Sequence, residues 1–115
     1  MVLRGDRLWS SFGVMGGFMQ PQGHVQMLVN MLDYGMNPQE ALDAPRFELT
    51  DPYGGAHAVA LEHDAGTIAE LNALGHQASR GRTFGFGGGQ AIVVDENGVR
   101  HGGSDKRKDG CVVAY

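Results

Sequence analysis

An apolar stretch, Phe12-Gly13-Val14-Met15, runs into the pair Gly16-Gly17, and a long apolar helical pattern opens a few residues later. Glycines at a strand-to-helix corner admit positive φ and let a ligand approach the main chain, leaving amide N–H groups to face an incoming negative charge. The chemistry this suggests is stabilisation of an oxyanion; the plain alternative is a turn, which is what most glycine pairs make. His24 falls in the first turn of the helical pattern, close to that corner. There it can touch a bound substrate or be satisfied by a neighbouring backbone group.

Other reactive residue types are less well placed. Cys111 is the only cysteine, so no intrachain disulfide forms, and with no histidine partner in sequence it reads as a buried structural thiol. Ser104-Asp105 is followed by Lys106-Arg107-Lys108-Asp109-Gly110, and adjacent charges of this kind, with no catalytic histidine to assign, fit a solvated turn closing the last strand rather than a nucleophile with its carboxylate. Gly85, Gly87, Gly88 and Gly89 lack the Gly-Lys-Ser/Thr and the following helix that a phosphate loop needs. The five histidines, His24, His57, His63, His76 and His101, have none of the close pairing of a metal site, so neither metal nor cofactor is expected.

The elements that must position the corner follow from periodicity and turn chemistry. Val2-Leu3 and Leu8 to Val14 read as a hairpin about Arg4-Gly5-Asp6-Arg7, where the Gly-Asp pair is ordinary turn chemistry. A helix opens at Pro21 or Gln22, runs to about Tyr34 and stops at Gly35. Its apolar arc (Val25, Leu28, Val29 and Leu32 beside Met27, Met31 and Tyr34) is wide enough to predict packing on two sides. Asn37, Pro38 and Glu40 make a capped helix start, and that short helix ends before Pro45. Strands are expected over 46–50, 57–62, 76–79, 90–95 and 99–102. Asp51 to Gly55 reads as a loop, 83–89 as a glycine-rich loop, and 96–98 as a hairpin turn. Asp64 caps a further helix in which Ala65, Ile68, Leu71 and Leu74 repeat at intervals of three, closed by Gly75.

At 115 residues with 42% apolar and 19% charged composition, the chain is expected to be one globular domain, 1–115. Nineteen glycines against a typical ~7% point to short strands joined by tight turns. A net charge of -4 gives no electrostatic reason for nucleic-acid or anionic-lipid binding. No apolar run approaches the roughly 18 residues of a membrane helix. The first residues do not resemble a signal peptide, which favours a cytoplasmic location.

Read together, four ordered blocks resemble the gamma-glutamyltransferase family: Gly13-Val14-Met15-Gly16-Gly17; Gln26 through Gly35; Asn37-Pro38-Gln39-Glu40-Ala41-Leu42-Asp43-Ala44-Pro45-Arg46-Phe47; and Gly103-Ser104-Asp105, Arg107-Lys108-Asp109-Gly110 and Ala114-Tyr115. The resemblance implies an α/β (α+β) fold, part of the αββα sandwich of N-terminal-nucleophile hydrolases, with mostly antiparallel sheet and packed helices. It implies a self-processed threonine that attacks an amide with its own amine as base. It assigns oxyanion donation to Gly16 and Gly17, and a structural role to the Ser104-Asp105 segment.

The threonine and the residues that grip the glutamyl group lie upstream of the glycine pair in that family and match nothing here. The chain therefore resembles the C-terminal part of a small subunit without its nucleophile. Lys106 where members carry Pro, and Val14-Met15 and Phe18-Met19 where many carry Ser-Pro and Ser-Arg, mark a divergent branch. The expected function is a gamma-glutamyl amide hydrolase or transferase portion, inactive until an upstream segment complements it. A non-catalytic oligomerising or binding domain and an acylase of the same architecture are the alternatives. Either an upstream segment or a second copy, as a homodimer, is the expected partner.

Overall fold

The computed structural model describes residues 1–50, 58–82 and 84–115. The loop expected at 51–55, the strand start at His57, and Thr83 lie outside them. The chain divides into two compact units, one formed by Met1–Ala44 with Gly87–Tyr115 and the other by Pro45–Phe86.

In the first unit, β1 (Val2–Arg4), β2 (Arg7–Met15), β6 (Gly88–Val94) and β7 (Arg100–Ser104) form an antiparallel sheet in the order β1-β2-β6-β7. The register pairs Val14 with Gly89 and Phe12 with Ala91. Because side chains alternate along a strand, Phe12, Val14 and Ala91 share one face. That face meets α1 (Met19–Leu32) and α2 (Pro38–Asp43) in a core of Val14, Met27, Met31, Ala41, Leu42 and Ala91, with Trp9, Phe12 and Leu28 packed against it. Fully burying a Leu, Met or Val contributes about 1.5–3 kcal/mol.

Helix α1 begins two to three residues before the expected Pro21 or Gln22. Its first turn is closed by backbone alone, Met19 N–H donating to the Gly16 carbonyl at 3.0 Å and Gln20 N–H to Gly17 at 3.1 Å, with no side-chain cap. Pro21 is tolerated because the first-turn amides have no intrahelical acceptor to lose. The helix buries Met19, Gly23, Met27 and Met31, a strict i, i+4 stripe. At Gly23 even a methyl would meet Val14 Cγ1 at 2.7 Å, so the Val14 side chain packs directly on the helix backbone. Packing on two sides is not found among the described residues: Phe18 at 65%, Val25 at 60% and Leu32 at 49% remain exposed. One stripe is all that this sheet can cover.

Asn37 caps α2 as its sequence demands. Its side chain accepts from Gln39 and Glu40 N–H, both at 2.9 Å, while Glu40 Oε2 accepts from Asn37 N–H at 2.9 Å. The β6–β7 hairpin turns at Asp95, whose carboxylate accepts from Asn97 and Val99 N–H at 2.9 Å each and contacts His101 Nε2 at 3.2 Å. The His101 hydrogen bond, then that from Val99, holds the Asp95 carboxyl below its ordinary pKa.

The second unit pairs β3 (Phe47–Leu49) antiparallel with β4 (Ala58–Leu61), and β4 parallel with β5 (Gln77–Arg80). Parallel neighbours need a crossover, supplied by α3 (Thr67–Ala73). Asp64 caps it from outside, accepting from Gly66 N–H at 2.9 Å and Ile68 N–H at 3.2 Å. The helix therefore starts at Thr67 rather than at Ala65. Arg46 is buried and donates from Nη1 to the Phe86 carbonyl at 2.9 Å. Among the described residues no helix is long and apolar enough to cross a membrane.

Candidate active site

The corner is built by two glycine segments crossing at van der Waals distance. Gly16 has φ 135° and Gly17 φ 58°, conformations that a side chain would strain. A Cβ on Gly16 would lie 3.0 Å from the Gly87 Cα, and one on Gly87, itself at φ 71°, would overlap the Met15 carbonyl. Around Gly17 nothing lies within 4 Å of such an atom. Both glycines of the pair are exposed, and neither amide donates a hydrogen bond among the described residues. Two adjacent unengaged N–H groups at the end of a rigid strand are what an oxyanion would need.

His24 is committed to the scaffold at one nitrogen. Strand β1 pairs with β2 only as far as Ser10, which among the described residues leaves the outer edge of β2 beyond it without a strand. Into that gap α1 places the imidazole, whose Nε2 accepts from the Val14 N–H at 2.9 Å. As an acceptor Nε2 carries no proton, so the neutral ring is protonated at Nδ1. An edge-on contact with Phe12, at 5.5 Å between centroids, fixes the ring plane. We expect His24→Ala to leave the Val14 amide unpaired and to lower stability by about 1–3 kcal/mol. Urea unfolding of the variant checks this; an unchanged midpoint would show that the bond adds nothing.

Beside the corner lies an open groove of about 430 Å³, lined by Gly13, Val14, Met15, Gln20, His24, Gly88 and Gln90. Every polar side chain in it is an amide or an imidazole. Gln90 also donates to Ser104 Oγ at 3.0 Å.

The Ser104-Asp105 segment does close the sheet, but it is not solvated. Asp105 is 1% exposed, and the Arg107 side chain is 5% exposed. Asp105 Oδ2 accepts from Gly89 N–H at 2.8 Å, and Oδ1 lies 3.1 Å from Arg107 Nη1. Arg107 donates in turn to the carbonyls of Leu42 at 2.7 Å and Ala44 at 2.9 Å, at the end of α2. Local sequence hides this because the partners are far apart in the chain, 65 positions between Arg107 and Leu42.

Cys111 is exposed rather than buried, because the tail that carries it runs along the outer sheet face, with Val112 over Gly102. Gly88 and Gly89 stand in β6, not in a loop. At Gly89 a Cβ would meet Leu42 Cδ2 at 2.6 Å, so close packing explains that glycine. Among the described residues no group of three His, Cys, Asp or Glu is placed to hold a metal.

The sequence model of the gamma-glutamyltranspeptidase family matches residues 1–115. A glutathione hydrolase-like YwrD proenzyme of Bacillus subtilis is 35% identical, over 98% of this chain and 22% of its own length. The glutathione hydrolase proenzyme of Escherichia coli is 32% identical, over 93% of this chain and 18% of its own. Among solved structures, a cephalosporin acylase from Bacillus halodurans superposes with a TM-score of 0.87 at 40% identity, covering 97% of this chain and 21% of that one. The chain thus spans about a fifth of the length of these relatives. Its fold is that of the N-terminal-nucleophile hydrolases, mixed α and β with mainly antiparallel sheet, and the chain belongs to the gamma-glutamyltranspeptidase family.

Proposed function

We propose that this chain is the oxyanion-binding portion of a gamma-glutamyl-type amide hydrolase or transferase. The observation that carries the reading is the pair of unengaged amides at Gly16 and Gly17, held at positive φ beside a groove. A threonine hydroxyl from an upstream segment attacks the amide carbon, and its proton passes to the threonine amine. The carbonyl oxygen becomes an oxyanion in front of Gly16 and Gly17, whose N–H groups need no reorganisation to receive it. On collapse the C–N bond breaks, the threonine ammonium returns that proton to the leaving nitrogen, and the free amine departs to leave an ester, which water or a second amine resolves. His24, fixed through Nε2, lines the substrate side of the groove and has Nδ1–H as its donor.

The isolated chain is expected to show no turnover of a chromogenic gamma-glutamyl anilide, and activity is expected once a threonine-bearing upstream segment is supplied. Oxyanion donors contribute on the order of 10²–10³ in rate and do not replace a nucleophile. Turnover that co-purifies with the 115-residue chain, and that a mock preparation lacks, would overturn the placement of the threonine. A glutaryl anilide in parallel separates a gamma-glutamyl enzyme from an acylase such as the Bacillus halodurans relative.

The exposed outer side of α1 favours association as well. Phe18, Val25 and Leu32 are too apolar a stripe to leave in water without a partner. Without the upstream segment the chain is expected to pair with a second copy as a homodimer. Light scattering at micromolar concentration reads this directly, and a non-aggregating monomer would favour an independent binding domain.

A further inference from the structure

We propose that His24 is a positioning residue for Gly16 and Gly17: by accepting the Val14 N–H it ties the end of β2 to α1 and so fixes where the two glycine amides point. The inference rests on the oxyanion reading above and names a residue on which that site depends.

Glycine restrains its own backbone less than any other residue. A glycine pair at φ 135° and φ 58° therefore keeps its geometry only through what holds its two ends. On the helix side, α1 has no side-chain cap, and its first turn hangs on the Gly16 and Gly17 carbonyls themselves. Those bonds turn with the corner and cannot fix it from outside. Packing does not brace Gly17 either, since no non-adjacent group lies within 4 Å of where a Cβ would stand.

The strand side supplies the missing restraint. Val14 stands two residues before Gly16; its side chain is buried against Gly23 of α1, and its N–H donates to His24 Nε2 at 2.9 Å. Among the described residues this is the one side-chain hydrogen bond that reaches the backbone of residues 13–17. It closes a ring of chain that contains both glycines and the first turn of the helix. Gln20, whose N–H holds the Gly17 carbonyl, lies about one helical turn before His24. Strand end and helix start are thus held at one angle, and the corner loses the hinge freedom that two glycines would otherwise give it. The edge-on contact with Phe12, at 5.5 Å between centroids, keeps the imidazole from swinging away.

An acceptor can be told from mere packing by what replaces it. Gln Oε1 stands the same number of bonds from Cβ as His Nε2, Asn Oδ1 falls one bond short, and Phe keeps a ring with no acceptor. In the complemented enzyme, His24→Phe is expected to lower kcat at least about tenfold with KM within about twofold, because a displaced donor is felt where charge develops. His24→Gln should stay within about threefold of the parent kcat, and His24→Asn should fall with His24→Phe. A second measurement needs no turnover. In the isotope-labelled 115-residue chain, His24→Phe should move the Gly16 and Gly17 amide resonances and speed Val14 N–H exchange at least about tenfold, leaving Gly98 at the far end of the sheet unchanged. His24→Gln should restore both.

Gly16 and Gly17 resonances that stay in place while Val14 exchanges freely would overturn the proposal, as would equal kcat in His24→Gln and His24→Phe. Should His24→Phe unfold, the comparison of Gln with Asn carries the same decision. Parent-like turnover of Gly17→Val sinks the oxyanion reading instead, and the glycine resonances then still show whether the imidazole holds the corner.

Discussion

Replacing Asp105 with alanine is expected to lower stability by about 3–5 kcal/mol, the cost of removing one partner of a buried ion pair. An exposed pair would be worth only about 0–1 kcal/mol, so burial decides the size. At 1% exposure for Asp105 and 5% for the Arg107 side chain, water cannot replace the lost carboxylate. The loss also frees the Gly89 N–H and loosens the arginine that holds the Leu42 and Ala44 carbonyls. Three elements, β6, α2 and the turn after β7, therefore share one carboxylate. Equilibrium urea unfolding measures the effect, and a change below about 1 kcal/mol would mean that the pair is dispensable. Arg107→Met in the same background gives the coupling, which we expect to be strongly non-additive.

The second large effect is catalytic. In a complex that contains the upstream segment, Gly17→Val should lower kcat by about 10²–10³ and leave KM nearly unchanged, because the donor acts on charge present only in the transition state. The position suits the test: around Gly17 nothing lies within 4 Å of an added Cβ, so no neighbour is displaced. The cost is confined to φ 58°, a region that a β-branched residue strongly disfavours. Gly16 would be a poorer choice, since a side chain there meets the Gly87 backbone at 3.0 Å. Parent-like turnover of Gly17→Val would remove the oxyanion assignment.

What local chemistry governs was legible in the sequence. Asn37 and Glu40 announce a capping box because both halves of it lie within one turn. Gly35, Gly75 and Gly98 announce positive φ because only glycine takes it cheaply. The four family blocks carry the fold for a different reason, since they record a whole architecture rather than a local preference.

The rest depends on distant partners. Asp105 and Arg107 look like surface charges until β7 brings them against α2 and β6. The free edge of β2, and with it the place of His24, follows from how far β1 extends. The start of α1 at Met19 escapes the sequence because its cap consists of the Gly16 and Gly17 carbonyls, which are invisible to any rule based on side chains.

The ribosome makes these elements in an order that differs from their order in the sheet. The second unit is continuous, Pro45–Phe86, whereas the first is split into Met1–Ala44 and Gly87–Tyr115. During synthesis β2 emerges long before β6, since Ser10 must wait for Val93 and Val14 for Gly89. Until then the inner edge of β2 is unpaired, while the second unit can already collapse on local contacts. Closing the sheet then means joining strands across a folded insert, whose compactness shortens the loop to be closed and lowers its entropic cost. The nascent chain is thus most exposed to mispairing while the insert is being made. Circular permutation that places β6 and β7 before β1 would shorten that interval.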